Sequence, residues 1–160
     1  MSVLFKEENL KFIEAAESDI PYIMRLEQHP ENRKFVRQGT VEEHTIEVNS
    51  PEYFVIIIKE RFDRIGYMLC HMDNENSSFE LRRMIIQHKS KGYGRSAIKG
   101  LIKYSMEELR FHRFWLDVYE DNETGIHLYE SIGMVLDGTL RKSYNREGEF
   151  ISQHIYSITK

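Results

Sequence analysis

Apolar residues recur along this chain in two rhythms, and the change from one to the other lays out the elements of a mixed fold. Tyr53, Phe54, Val55, Ile56, Ile57 and Ile58 form one short apolar run and residues 65–70 another, with a charged turn from Lys59 to Arg64 between them. Both runs predict strands, and a polar turn over residues 73–78 leads to a third at 79–86. Three strands in series make an antiparallel meander. Upstream, residues 10–16 predict a first strand. Ser18 and Asp19 then cap a helix carrying Ile20, Ile23, Met24 and Leu26, with Pro21 in the first turn, where proline is tolerated. After His29 and Pro30 a polar, helical stretch runs to about Val48. Its sparse apolar residues predict an exposed segment where a substrate lid can form, and its acidic residues Glu27, Glu31, Glu42, Glu43 and Glu47 suit a polycation.

Downstream the period lengthens. Ile98, Leu101, Ile102 and Leu109 fall at helical spacing, with Lys99 and Lys103 on the wet side, so residues 93–109 predict a long helix covering the sheet. Phe114, Leu116 and Val118 then alternate with Trp115, Asp117 and Tyr119 in a strand that returns beside its predecessor as a strand–helix–strand unit. A second helix starts near Asp121 and Asn122, carries Leu128, Tyr129 and Ile132, and stops at Gly133. Residues 134–140 and 150–158 predict two closing strands, joined as a hairpin through Asn145, Arg146, Glu147 and Gly148. The sum is an α/β (α+β) sheet fold. No repeat, low-complexity tract or linker divides it, so residues 1–160 read as one domain.

Composition narrows the function classes. At 160 residues, 41% hydrophobic, with a formal charge of −4, the chain argues against wholesale binding of nucleic acid or acidic membrane. Cys70 is the only cysteine, which leaves no disulfide framework or thiolate metal cluster and fits a reducing cytosol. The seven histidines lack metal-binding spacing, so no metal is expected. The N-terminal residues lack the apolar core of a signal peptide and no stretch approaches membrane-spanning length, so the expectation is a cytoplasmic protein with no membrane partner.

The chemistry concentrates in Lys89-Ser90-Lys91-Gly92-Tyr93-Gly94-Arg95-Ser96, between an apolar strand and an amphipathic helix. Two glycines one residue apart let backbone approach a ligand closely. A helix start offers unpaired N–H groups and the positive end of a macrodipole, and the cationic side chains add to both, so the turn suits a pyrophosphate. The Walker pattern and the dinucleotide fingerprint are both absent. Lys89, Lys91, Arg95, Lys99 and Lys103 also cluster as a nucleic-acid patch would, but a phosphate-ligand patch explains them more simply, so no nucleic-acid partner is expected.

This turn, followed by Asn122-Glu123-Thr124-Gly125-Ile126-His127-Leu128-Tyr129-Glu130-Ser131-Ile132-Gly133-Met134, resembles in order and spacing two motifs of the GNAT superfamily of acyl-CoA-dependent N-acyltransferases. Residues 111–118 and Gly138-Thr139-Leu140-Arg141 resemble the branch containing ribosomal-protein N-terminal and spermidine acetyltransferases. The resemblance implies a mostly antiparallel sheet of about seven strands, with a V-shaped splay between strands 4 and 5, flanked by about four helices. It implies acetyl-CoA as co-substrate and transfer of acetyl to a primary amine by direct attack in a ternary complex. The acceptor is a polyamine, an amino acid or similar small molecule, or a protein N-terminus, and the chain a homodimer. The alternative is a non-catalytic acyl-CoA-binding or sensing module.

Residue by residue, the resemblance implies that Met84, Ile85 and Ile86 bond the pantetheine arm and that Lys89, Lys91, Gly92, Tyr93, Gly94, Arg95 and Ser96 hold the pyrophosphate. Asn122 bonds the ligand near the thioester. Tyr129 protonates the departing thiolate, unless it merely completes the helix's buried stripe, and Glu80 serves as base. Which face Glu80 occupies is open, because Arg82 and Arg83 interrupt the alternation where the family often has a bulge. Lys89, Ser90, Gly125 and Ser152 depart from the family pattern.

Overall fold

A computed structural model describes residues 2–89 and 91–160. The strands are β1 (Val3–Glu7), β2 (Leu10–Glu14), β3 (Tyr53–Glu60), β4 (Asp63–Asp73), β5 (Ser78–Ile86), β6 (Arg113–Tyr119), β7 (Val135–Arg146) and β8 (Glu149–Thr159). The helices are α1 (Ile20–Gln28), the single turn α2 (Pro30–Arg33), α3 (Val41–Asn49), α4 (Tyr93–Lys103) and α5 (Glu123–Ile132). The strands form one sheet in the order β1-β2-β3-β4-β5-β6-β8-β7, antiparallel except for the parallel pair β5 and β6.

The continuous apolar runs of β3 and β4 are buried on both faces, and each face has its own core. Ile56, Ile58, Met68, Cys70, Phe79 and Leu81 pack with Ile98 and Leu101 of α4. Val55, Ile57, Tyr67 and Leu69 pack with Tyr22, Ile23 and Leu26 of α1 on the other face. Such two-sided burial is why these runs show no period of two.

The β5 and β6 ladder pairs only Ser78 with Arg113 through Leu81 with Leu116, and beyond that point the two strands diverge. The divergence coincides with a bulge: Cys70 of β4 faces Leu81 while its neighbour Leu69 faces Arg83, so Arg82 is the extra residue and β5 bends there. The double arginine that broke the alternation is that bulge. Before it Phe79 and Leu81 face α4; after it Arg83 and Ile85 face α1.

The chain departs from the sequence expectation in four places. Strand β1 adds an eighth strand, so the splay lies between β5 and β6, and five helices replace about four. Only Phe5 of β1 is fully buried, stacked on Phe12 and Tyr104, which leaves little apolar signal. Helix α4 ends at Lys103, and residues 104–108 continue as a wider π turn. Strands β7 and β8 run longer than expected. The polar segment after His29 is not a uniformly exposed helix, because Glu27, His44 and Glu47 are buried. Glu27 Oε1 accepts from Gly39 N–H at 2.9 Å and pairs with His44 Nε2 at 2.8 Å, while Oε2 accepts from Arg83 at 3.0 Å and from the Tyr67 hydroxyl. Glu47 takes the other His44 nitrogen at 2.8 Å. These acidic residues therefore stitch α1 and α3 to the sheet, and of the acidic side chains expected to meet a polycation only Glu31 lines the large cleft described below.

Candidate active site

The splay opens into a cleft of about 1260 Å³ that runs from the start of α4, past β5 and α5, to β7 and β8. At one end Gly92 caps α4 with φ +77°, a left-handed backbone that favours glycine, and no side chain closes the helix start. Ser96 N–H bonds back to Gly92 at 3.2 Å, which leaves the amides of Tyr93, Gly94 and Arg95 for a ligand. A Cβ on Gly94 would make only ordinary contact, 3.7 Å, with Leu128 and Met84, so the protein's own packing does not require glycine there.

The side chains of the turn divide. Lys89 and Arg95 line the cleft, anchored by Asn32 Oδ1 and Ser131 Oγ at 2.8 Å each. Lys91 and Ser96 instead line a separate small recess with Glu8 and Glu60, and the Ser96 hydroxyl donates to Glu8 at 3.0 Å. Both side chains therefore lie toward the β1–β2 end, apart from Lys89 and Arg95. Ser90 lies outside the described residues. Met84, Ile85 and Ile86 line the cleft where β5 has left β6. Ile85 buries its side chain in the α1-side core, so what it offers a ligand is backbone.

Asn122 caps α5, its Oδ1 accepting from Gly125 N–H at 3.0 Å. A Cβ at position 125 would come 2.7 Å from Asn122 Nδ2, so glycine in place of the family's usual alanine leaves room for this folded-back amide. Tyr129, one helical turn beyond position 125, packs against the α4-side core beside Leu128 and Ile132 and also lines the cleft.

At the far end the register of Glu80 with Trp115 settles the face of Glu80: it shares the α1 side of the sheet with Asp117. Glu80 Oε1 accepts from Arg82 at 2.8 Å, and Arg82 also bonds the Tyr53 hydroxyl at 2.9 Å. Asp117 accepts a single hydrogen bond, from Gln153 at 2.9 Å, among the described residues. Burial, reinforced by the negative charge of Glu80 and only partly offset by Arg82, pushes the Asp117 carboxyl up to about 6. Burial, with the charge of Asp117 added, pushes the Tyr129 phenol up to about 12. Asp117 carries no label in the sequence beyond its place in an alternation; its signal is that an acid stands there among aromatic residues on the half-open face. Ser152 closes a bulge in β7 by accepting from Lys142 N–H at 2.9 Å, so it is spent on structure.

Comparison with known proteins shows the family and the fold. Residues 9–135 match the model of the acetyltransferase (GNAT) domain. A spermidine N(1)-acetyltransferase of Vibrio cholerae is 33% identical over 64 residues, 40% of this chain and 37% of that protein. The N-acetyltransferase p20 of Bacillus licheniformis is 30% identical over 109 residues, 67% of this chain and 61% of that one, so the chain spans less than two thirds of either curated relative. Among solved structures, the Vibrio cholerae spermidine N-acetyltransferase in complex with CoA and spermine superimposes with a TM-score of 0.85 at 20% identity, covering 94% of this chain and 95% of that one. With the family model matching most of its length, the splayed sheet and the open amides of α4 find their explanation: this chain belongs to the GNAT acetyltransferase domain family.

Proposed function

We propose that this chain is an acetyl-CoA-dependent N-acetyltransferase acting on a primary amine, with a polyamine as the acceptor class the relatives favour. One observation carries the reading: a single cleft joins an uncapped helix start, suited to a diphosphate, to a carboxylic acid and a phenol held at unusual pKa values. The amides of Tyr93, Gly94 and Arg95, with Lys89 and the Arg95 guanidinium, hold the diphosphate. The backbone of residues 84–86 holds the pantetheine arm and Asn122 steadies it near the thioester. Asp117, in preference to Glu80, takes the proton of the acceptor ammonium; Glu80, already bound to Arg82, supplies charge that keeps Asp117 basic. As the amine nitrogen bonds the carbonyl carbon and the carbon–sulfur bond breaks, Tyr129 gives its proton to the sulfur. The chain works in the cytoplasm as a homodimer, a reading supported by the exposed apolar side chains Val135, Leu136, Leu140 and Phe150 on β7 and β8 and checked by sedimentation.

Thiol release from acetyl-CoA over a panel of amines tests the proposal. Binding without turnover of any acceptor would favour a sensing module instead. Two variants sharpen the test. Gly94→Ala adds a methyl where the protein has room but a diphosphate must sit, so calorimetry should show weaker CoA binding while the melting temperature holds or rises, since alanine favours a helix by about 0.5–1 kcal/mol over glycine. The wild-type kcat/KM for the amine should fall on the acid side with a midpoint near 6 as Asp117 takes up a proton, and Asp117→Asn should remove that limb along with most of the activity.

A further inference from the structure

Two segments that flank the splay between β5 and β6 are tied together beside the cleft. The β7–β8 turn is fixed by Gly148 N–H donating to Asn145 Oδ1 at 2.8 Å, and from its base Arg146 reaches to neighbours of the lining residues Phe35 and Tyr119 without lining the cleft itself. Its guanidinium donates both to Asp121 Oδ2 at 2.6 Å and Oδ1 at 3.2 Å, and to the Lys34 carbonyl at 3.0 Å. Asp121 follows β6 and Lys34 follows α2, so one side chain ties the hairpin to both walls of the opening. The Arg146 side chain is only 11% exposed and lies over Tyr119, itself stacked on Tyr144 with ring centroids 4.7 Å apart. A second rung, Arg33 to Glu147 at 3.3 Å, is largely exposed and adds little. The forked pair is the rung that holds.

Resting on the acetyltransferase reading above, we infer that Arg146 is a specificity-determining residue: by tying Asp121 to Lys34 it holds the walls of the acceptor half of the splay close, as a passage for slender, unbranched alkyl amines. Phe35 stands on the α2 side of this passage and Tyr119 and Tyr144 on the other, with Asp117 on the same strand as Tyr119. An amine nitrogen on a methylene chain enters such a passage end on, its chain lying between Phe35 and Tyr144. An amine on a branched carbon, as in tert-butylamine or a peptide N-terminus, is too wide for the gap that the latch sets.

The test compares kcat/KM for spermidine and n-butylamine with that for tert-butylamine and trialanine, in wild type, Arg146→Ala and Arg146→Lys, with CoA binding measured alongside. The wild type should prefer the unbranched amines. Arg146→Ala should shrink that preference about tenfold, the scale on which a pocket discriminates by shape, Arg146→Lys should shrink it less, and CoA affinity should hold in both. An unchanged preference in folded Arg146→Ala, or a wild type that handles both amine classes equally, overturns the latch alone. CoA binding with no turnover of any amine overturns the acetyltransferase reading and the latch with it. Should Arg146→Ala not fold, Asp121→Asn removes the charge partner with nearly every atom kept and gives the same readout.

Discussion

Replacing Tyr129 with phenylalanine should lower kcat by about 100-fold or more, the range of general acid catalysis, with CoA affinity and melting temperature close to wild type. The hydroxyl makes no hydrogen bond to another side chain among the described residues, so its loss costs the fold little. Its pKa of about 12 has two sources, burial first and the charge of Asp117 second. The second vanishes at the moment it is needed. In the proposed reaction Asp117 becomes neutral when it takes the proton of the amine, and Tyr129 would then be a stronger acid as the thiolate leaves. The two groups are thereby coupled through the field between them, and no proton need pass directly from one to the other. In Asp117→Asn the Tyr129 phenol should accordingly titrate below its wild-type value, which a tyrosine-labelled NMR titration reads. Unchanged turnover in Tyr129→Phe at every pH would remove this residue from the reaction.

Much of the frame could be read from the sequence because each element there serves one purpose. The runs of β3 and β4 are apolar because both faces are covered, α4 carries a single stripe, and Gly133 stops α5 with φ +101°. The broken alternation at Arg82 and Arg83 marked the bulge that bends β5 away from β6. What escaped the sequence depends on contacts between distant segments. Asp117 takes part of its shift from Glu80, 37 residues before it, and passes part on to Tyr129, 12 residues after it. Arg146 looks like an ordinary turn residue until the hairpin is folded over Asp121 and Lys34. Lys91 and Ser96 look equivalent to Lys89 and Arg95 until the folded turn places them in a separate recess. The acidic run from Glu27 to Glu47 reads as a wet helix, yet two of its five carboxylates, Glu27 and Glu47, are internal.

That internal charge sets the second large effect: Glu27→Gln should destabilise the fold by about 3–5 kcal/mol, the cost of breaking a buried ion pair from one side. For a chain of this size such a loss lowers the melting temperature by roughly 10 °C. All four partners of the Glu27 carboxylate are donors: Gly39 N–H, His44, the Tyr67 hydroxyl and Arg83. A glutamine of the same shape must turn its own NH₂ toward two of them and leaves Arg83 and His44 without their shared negative charge. Burial alone would lower the His44 pKa, but hydrogen bonds to Glu27 and Glu47 outweigh it and hold the ring at about 9, above its ordinary 6.5. Burial likewise would raise Glu27, but the bonds from His44 and Tyr67 bring it below its ordinary 4.5. The raised group contributes stability that is complete below pH 6.5 and is lost as pH climbs through about 9, while the lowered group contributes stability that is complete above pH 4.5 and is lost in acid. The wild type should therefore be at its best between those two values and soften toward alkaline pH, and Glu27→Gln should show a shallower alkaline decline, since its His44 is no longer held protonated. A variant that melts with the wild type, or declines along the same alkaline slope, would show that the cluster is not electrostatically held. Because the same carboxylate grips both Gly39 and Arg83, the residue next to the bulge, the walls of the acceptor half should loosen first, and amide exchange at those two positions should quicken before the β3–β4 core opens.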